Sequence, residues 1–385
     1  MVLLRAFFYV SSPEQELCFI TGKGIWAMRI EMNNINKTIK GVSLLTDINL
    51  ALESGHIYGF VGDNGSGKTV LFKVLLGLMH KTSGTILVDG REQKDLMQDV
   101  GFIIERPEYI PYYSAKKNLE IIAAYRKVAD DQRICTVLEM FGLDPSDKKA
   151  VGKYSLGMKQ KLALSMAFLE DPKVLILDEP LSALDALVRT HLRSEIRALQ
   201  QRLGITTIMV THDQEEAMTM AERIAIMHLG CIEQIGSPMD IYETPASRLV
   251  CEFIGNVNLF DGLLVEDEQD HATIACADLE QPIYVGHGIS SRAENKKVTY
   301  ALRPEKLLMS LHKPEEIEHP DFNWTKGEVY DIAYLGGHSV YHIQLPSGKI
   351  VQAFIANAER HGKRPTWDDQ VFLYWEDDSG VVLQS

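Results

Sequence analysis

The segment GDNGSGKT, from Gly62 to Thr69, constrains the fold of this chain more than any other feature. It fits the pattern G-x-x-x-x-G-K-[ST], with a short apolar run (56–61) before it and a helical pattern (70–78) after it. Glycines in such a turn let backbone N–H groups close around phosphate oxygens, and the following helix directs its positive end at the same anion. Strand, glycine-rich loop and helix therefore predict an α/β domain that binds a nucleotide through its phosphates. The simpler alternative, a glycine-rich turn with no ligand, is disfavoured by the flanking elements.

The loop itself supplies the first group of candidate ligands. We expect Lys68 to reach the β- and γ-phosphates of ATP and Thr69 to ligate Mg²⁺. The other positions that would surround the phosphates are Gly62, Asp63, Asn64, Gly65, Ser66 and Gly67.

Two further apolar runs end in residues suited to phosphate chemistry. The run VLIL (174–177) is followed by Asp178, a candidate Mg²⁺ ligand, and Glu179, a candidate general base for the attacking water. The run TTIMV (206–210) is followed after one residue by His212, where a strand tip would bring it near the γ-phosphate. Taken alone, an acidic turn or a histidine at a strand end is more often structural. Together with the loop, they predict hydrolysis of the nucleotide.

Composition restricts the class of protein further. The net charge of −14 and the lack of a Lys/Arg-rich run argue against nucleic acid as a partner. Five scattered cysteines without a CxxC pair predict neither a disulfide framework nor a zinc site. No apolar stretch approaches the ~18–20 residues that span a bilayer. If the chain works at a membrane, we expect another protein to hold it there.

The 385 residues divide by pattern into an extension and two domains. Residues 1–27 form the extension, and residues 28–256 form the nucleotide-binding domain. Within that domain, residues of about 105–165 have helical spacing and predict a helical subdomain. Short alternating segments separated by turn residues in 257–385 predict a small all-β domain of barrel-like, OB-like form.

At this point the chain resembles the ATPases of ABC transporters, from about Met28 to the C-terminus. The loop matches the Walker A motif, VLILDE matches Walker B with its catalytic glutamate, and His212 matches the switch histidine. SALD matches the D-loop and ends in Asp185, and YSLGMKQ (154–160) stands where the family signature belongs. The resemblance implies that Ser155, Gly157 and Met158 contact the γ-phosphate of a nucleotide bound to another protomer.

The same resemblance implies partners and a location. We expect ATP and Mg²⁺ as cofactors and a homodimer, or pairing with a second ATPase subunit. Transmembrane permease subunits would hold the dimer at the cytoplasmic face of the membrane. The motif LRPE, beginning at Leu302, marks the C-terminal β-domain of TOBE type that is common in importer ATPases.

The family pattern is altered at three features: the signature, the Q-loop and the position that stacks on adenine. Leu156 and Met158 replace Gly and Gln in the signature, and the Q-loop glutamine is Glu105, which could still ligate Mg²⁺. Ile39 stands nearest to the position of the aromatic residue that stacks on adenine. It would provide apolar contact without stacking.

The two halves resemble different subfamilies. Residues 28–180 are similar to bacitracin-type exporter ATPases, while the sequence from about Ser182 is similar to polyamine importer ATPases, which suggests a mosaic. We favour polyamine import as the function. The alternatives are an exporter ATPase and a nucleotide-gated regulator with little turnover. A soluble ABC ATPase without a transport role usually carries two cassettes, and this chain has one phosphate loop.

Overall fold

The computed structural model of this chain describes residues 28–103, 109–126, 129–181, 186–289, 296–319, 321–358 and 364–384. They form two compact units, one reaching to Pro238 and one beginning at Met239. The boundary that we predicted after residue 256 lies within the second unit, and the predicted extension 1–27 lies outside the described residues. Across these ranges, no helix is long and apolar enough to cross a bilayer.

The first unit is built on strands and helices that alternate along the chain. Its described strands are β1 (Ile30–Ile39), β2 (Val42–Leu52), β3 (Ile57–Val61), β4 (Ser83–Val88), β5 (Arg91–Glu92), β6 (Val100–Ile103), β7 (Val174–Asp178), β8 (Thr206–Thr211), β9 (Arg223–His228) and β10 (Cys231–Gly236). Its described helices are α1 (Lys68–Leu75), α2 (Ala115–Arg126), α3 (Asp131–Met140), α4 (Leu156–Phe168), α5 (Ala186–Leu203) and α6 (Gln214–Met220), with a 3₁₀ turn at Val151–Lys153.

A six-stranded sheet lies at the centre of this unit, in the order β10-β9-β3-β8-β7-β6. The strands from β9 to β6 are parallel, and every residue of β3, β7 and β8 is buried. Runs of apolar residues without alternation are expected where both faces of a parallel sheet are covered. Because parallel strands end at the same edge, the segments that follow β3, β7 and β8 meet there.

An antiparallel sheet and a helical segment complete the first unit. The antiparallel sheet has the order β2-β1-β4-β5. The helical segment contains α2, α3 and α4, which pack around a core that includes Leu119, Val137 and Leu162. The helical spacing predicted for residues of about 105–165 is confirmed by these three helices.

The second unit is mostly antiparallel β-structure. Its described elements are α7 (Pro238–Glu243), which begins at the boundary, α8 (Arg248–Phe253), β11 (Asn258–Asp267), β12 (Ala272–Cys276), β13 (Ile283–Val285), β14 (Lys297–Leu302), β15 (Leu308–Ser310), β16 (Phe322–Tyr334), β17 (His338–Gln344), β18 (Ile350–Ala356), β19 (Gln370–Glu376) and β20 (Gly380–Gln384). Short 3₁₀ turns lie at Pro304–Lys306 and Glu315–Glu318.

These strands form two five-stranded sheets, β13-β12-β11-β14-β20 and β15-β19-β16-β17-β18. Their apolar faces share one core that contains Phe260, Tyr300 and Trp375. Arg303 ties the segment before β11 to this unit, because its guanidinium donates to the carbonyls of Tyr242 and Cys251 and stacks on the Tyr242 ring. The predicted all-β domain is confirmed, and these contacts explain why its unit begins before residue 256.

Candidate functional site

The loop after β3 is a tight cradle whose shape depends on glycine. A Cβ at Gly62 would lie 2.2 Å from the carbonyl oxygen of Met227 and 2.8 Å from Oγ of Ser66. Gly67 has a φ of 99°, in the left-handed region that favours glycine, and directly precedes α1. The backbone therefore turns from a buried strand into a helix N-terminus within six residues, as phosphate binding requires.

The turn between β9 and β10 supports the cradle from behind. The N–H of Gly230 donates to the carbonyl of Ser66 at 3.0 Å, and the N–H of Thr46 donates to the carbonyl of Gly230 at 2.9 Å. Nothing in the sequence indicated that this turn contacts the loop. Periodicity carries no signal for a contact between segments so distant in sequence.

Lys68 is buried and folds back over the loop. Its ammonium donates to the carbonyls of Gly62 at 2.6 Å and Asp63 at 3.0 Å. Burial lowers the pKa of Lys68, while the carboxylates of Glu179, Asp178 and Asp63 oppose that shift. A cation held in this way over a ring of loop amides is suited to bind phosphate oxygens.

The acidic end of β7 lies beside the start of α1. The hydroxyl of Thr69 donates to Oδ2 of Asp178 at 3.1 Å, and Asp178 is buried. A hydroxyl and a carboxylate are the hard oxygen ligands that Mg²⁺ prefers, and Mg²⁺ commonly completes its shell with water and substrate phosphates. These two side chains fit that role. Among the described residues, no group of three His, Cys, Asp or Glu side chains could hold a metal without such help.

Glu179 and His212 lie together at the same edge of the sheet. Oε1 of Glu179 is 2.9 Å from Nδ1 of His212, and the N–H of Glu179 donates to the carbonyl of Val210 at 2.8 Å. The backbone of Glu179 has a φ of 48°, which residues other than glycine rarely adopt. Such backbone conformations cluster at functional sites. Side-chain exposures of 38% for Glu179 and 54% for His212 leave the pair open to a substrate.

The signature residues form a separate helix start. The Ser155 hydroxyl accepts from the N–H of Met158 at 3.3 Å and so caps α4. Ser155 and Leu156 are exposed, and Gly157 is half-buried. A Cβ at Gly157 would lie 3.2 Å from Cγ1 of Val188. Within the described residues, no hydrogen bond joins Ser155 or Gly157 to the loop after β3. One copy of the chain therefore presents two separate candidate phosphate contacts.

Of the remaining predicted positions, Ile39 is described by the structure, and two are not. Ile39 is 40% exposed and ends β1, where Lys40 and Gly41 turn the chain. It offers aliphatic surface without an aromatic face. Glu105 and Asp185 lie outside the described residues.

One group of residues near His212 was missed by sequence reasoning. Arg189 and Arg193 both donate to Asp213, the residue after His212. The spacing of four residues between the two arginines on a predicted helix was the available signal, because such residues share one face.

Comparisons with known protein families support both units. The sequence model of the ABC transporter family matches residues 45–182, and that of the TOBE domain matches residues 300–383. A solved structure described as cbiO1 from Clostridium perfringens, part of the ABC transporter complex cbiONQ, is 25% identical with a TM-score of 0.52. That match covers 55% of this chain and 89% of the other.

Curated relatives cover nearly the whole sequence. The putrescine transport ATP-binding protein PotG of Escherichia coli (strain K12) is 37% identical over 361 residues, covering 92% of this chain and 94% of that protein. The spermidine/putrescine import ATP-binding protein PotA of Thermotoga maritima is 30% identical over 363 residues, with coverages of 92% and 98%. Matches of this length must include most of residues 28–180. The exporter-type interpretation of the N-terminal half therefore finds no support.

Proposed function

This chain belongs to the ATP-binding subunits of ABC transporters and hydrolyses ATP, and from that premise we propose that it energises the import of polyamines such as putrescine and spermidine. The observation that carries the proposal is similarity over 92% of the chain to proteins named for putrescine transport and for spermidine/putrescine import. The C-terminal TOBE domain is part of that match.

The loop and Lys68 bind the triphosphate in this proposal. The N–H groups of residues 62–67, including those of Asp63, Asn64 and Gly65 at the exposed tip, surround the phosphate oxygens. Lys68 exchanges its loop carbonyls for β- and γ-phosphate oxygens. Ile39 provides an apolar surface for the adenine ring without stacking on it.

Thr69 and Asp178 hold Mg²⁺, with Glu105 as a further ligand. When bound, Mg²⁺ draws charge away from the β- and γ-phosphate oxygens. Asp178 lies directly before Glu179, so the metal site and the candidate base are fixed by the same strand end.

Glu179 accepts a proton from the attacking water, and His212 contacts the γ-phosphate while it holds the Glu179 carboxylate in place. The two side chains already lie 2.9 Å apart, which is hydrogen-bond distance. Their exposure lets a water molecule reach Glu179.

Each nucleotide site is completed by a second protomer in a head-to-tail dimer. Ser155, Gly157 and Met158 of one copy face the loop of the other, and Asp185, which lies outside the described residues, is assigned to this site by its match to the D-loop. Helix α4 is thirteen residues long, and its capped N-terminus provides a site for an anion. Leu156, 49% exposed in one copy, is available for such a contact.

The helical segment docks on the permease subunits at the cytoplasmic face of the membrane. It exposes Tyr112 (72%) and Tyr125 (89%), with Ile121 one turn before Tyr125 on α2. Large apolar side chains are depleted from free surfaces and enriched at interfaces, which favours this segment as the docking surface.

Transport measurements test the proposal. A host strain that lacks this gene should lose uptake of radiolabelled putrescine, and the wild-type gene should restore it. Lys68→Ala should not restore uptake, whereas Lys73→Ala, in the last turn of the same helix, should restore it. Both variants should accumulate to equal amounts on an immunoblot.

Two results would contradict polyamine import and support another function. Normal putrescine uptake together with new sensitivity to bacitracin would identify an exporter ATPase. Tight ATP binding by the purified chain without measurable phosphate release, alone or with its permeases, would identify a nucleotide-gated regulator.

A further inference from the structure

A network of charged and polar side chains surrounds the turn that carries His212. We name it the Asp213 cluster, and it consists of Arg189, Arg193, Thr211, Asp213, Glu215 and Glu216. Among the described residues, the side chain of His212 makes its hydrogen bond with Glu179 rather than with the cluster. The cluster adjoins His212 through the backbone of the turn.

Two arginines of α5 hold the cluster from one side. Nη1 of Arg189 lies 2.9 Å from Oδ2 of Asp213, and Nη2 of Arg193 lies 3.1 Å from the same oxygen. The other branch of the Arg193 guanidinium binds Glu215 at 3.0 Å. Arg193 is 8% exposed, and an arginine with two branches engaged fixes its acceptors in direction as well as distance.

Asp213 passes this constraint to the backbone on both sides of His212. Its Oδ1 accepts from the N–H of Glu216 and caps α6, and its own N–H donates to the Thr211 hydroxyl at 3.0 Å. The Thr211 hydroxyl also donates to the carboxyl of Glu216, and both residues are buried. The residues before and after His212 are thus fixed by side-chain hydrogen bonds.

We propose that Arg193, assisted by Arg189, is a positioning residue for His212: by holding Asp213 it sets the turn that aims the imidazole at Glu179. Helix α5 begins seven residues after Glu179, with Asp185 directly before it. The position of α5 is therefore linked through the two arginines to Asp213 and, through the backbone, to His212. This inference rests on the role proposed above for His212.

The chain offers a matched control on the same helix. Arg197 is the next arginine at a spacing of four, and it donates to the carbonyl of Thr219 at 2.6 Å, at the far end of α6. It joins α5 to α6 as Arg193 does, but among the described residues it makes no hydrogen bond or ion pair with the turn at His212. Arg197→Gln therefore removes a helix–helix contact without affecting the positioning of His212.

A double-mutant cycle on the purified full chain with ATP and Mg²⁺ tests the proposal. Arg193→Gln should lower kcat by about ten- to a hundredfold, because small displacements of a catalytic group have effects of that size. KM for ATP should change by less than about threefold, since the phosphate loop is untouched. In the His212→Ala chain, Arg193→Gln should lower kcat no further, because both changes remove the same contribution.

Three outcomes would overturn the inference. An equal loss of kcat from Arg193→Gln with and without His212 would mean that the arginine acts independently. A lowered unfolding temperature at unchanged kcat, the result expected for Arg197→Gln, would mean a purely structural role. Full turnover by His212→Ala would instead contradict the role proposed for His212 in hydrolysis, on which this inference rests. If Arg193→Gln fails to fold, Asp213→Asn, which keeps a capping oxygen, carries the same expectations.

Discussion

Replacing Glu179 by Gln tests the proposed general base with little disturbance of the structure. Gln has the same shape and retains one oxygen for His212, but it cannot accept a proton from water. A positioned base contributes about 10²–10⁴ in rate, which corresponds to about 3–5 kcal/mol of activation free energy. We therefore expect kcat to fall by that factor, while ATP affinity remains within about threefold of the wild type.

The same substitution should barely affect stability. The Glu179–His212 pair is 38% and 54% exposed, and solvent-exposed ion pairs contribute about 1 kcal/mol or less. For a protein of this size, such a change moves the unfolding temperature by a few degrees at most, on the order of 2–4 °C per kcal/mol. A loss of turnover therefore cannot be attributed to loss of folded protein.

Phosphate release at saturating ATP and Mg²⁺, nucleotide titration and thermal unfolding measure these three quantities. Glu195→Gln is the control, because it removes one side of another partly exposed pair, the Lys161–Glu195 contact at 3.0 Å, and neither residue is assigned to the site. The control should retain wild-type turnover. Turnover by Glu179→Gln within about threefold of the wild type would refute its assignment as the base.

Two further predictions follow from burial and close packing. Gly62→Ala should weaken ATP binding and destabilise the fold by about 1–3 kcal/mol, because its Cβ would lie 2.2 Å from the Met227 carbonyl oxygen. Gly337→Ala, with no atom within 4 Å, should change neither nucleotide titration nor thermal unfolding. Burial raises the pKa of Glu216, so the folded state holds its proton more tightly and stability falls as pH rises through the folded pKa. Glu216→Gln should thus unfold at a higher temperature than the wild type at pH 8, and the difference should narrow at pH 4; a constant difference would contradict this.

Local sequence determined much of this protein. The fully buried strands β3, β7 and β8 were visible as short apolar runs, because a parallel sheet covered on both faces leaves little polar alternation. The phosphate loop was visible because glycines, lysine and threonine must follow each other at fixed spacing to surround an anion. Since parallel strands end at one edge, the pattern also predicted that Asp178 and Glu179 would lie near that loop.

The strands of the C-terminal unit were harder to predict from the sequence. The longest strand there, β16 (Phe322–Tyr334), does not stand out in the sequence as an alternating apolar segment. Its burial alternates from Phe322 to Tyr330, but the buried positions include Asn323, Thr325 and Gly327, so hydrophobicity does not follow burial along this strand. Strand pairing in antiparallel sheets depends on partners far away in sequence, and alternation alone identifies only the regular segments.

The sequence alone predicted which groups bind and hydrolyse ATP, because that chemistry requires particular residue types at short, fixed spacings. Only the tertiary structure decided how they are held: Gly230 behind the loop, and Arg189 and Arg193 behind His212. These contacts join segments that periodicity treats separately. They depend on how helix α5 and the β9–β10 turn pack against the sheet, and packing is a property of the whole fold.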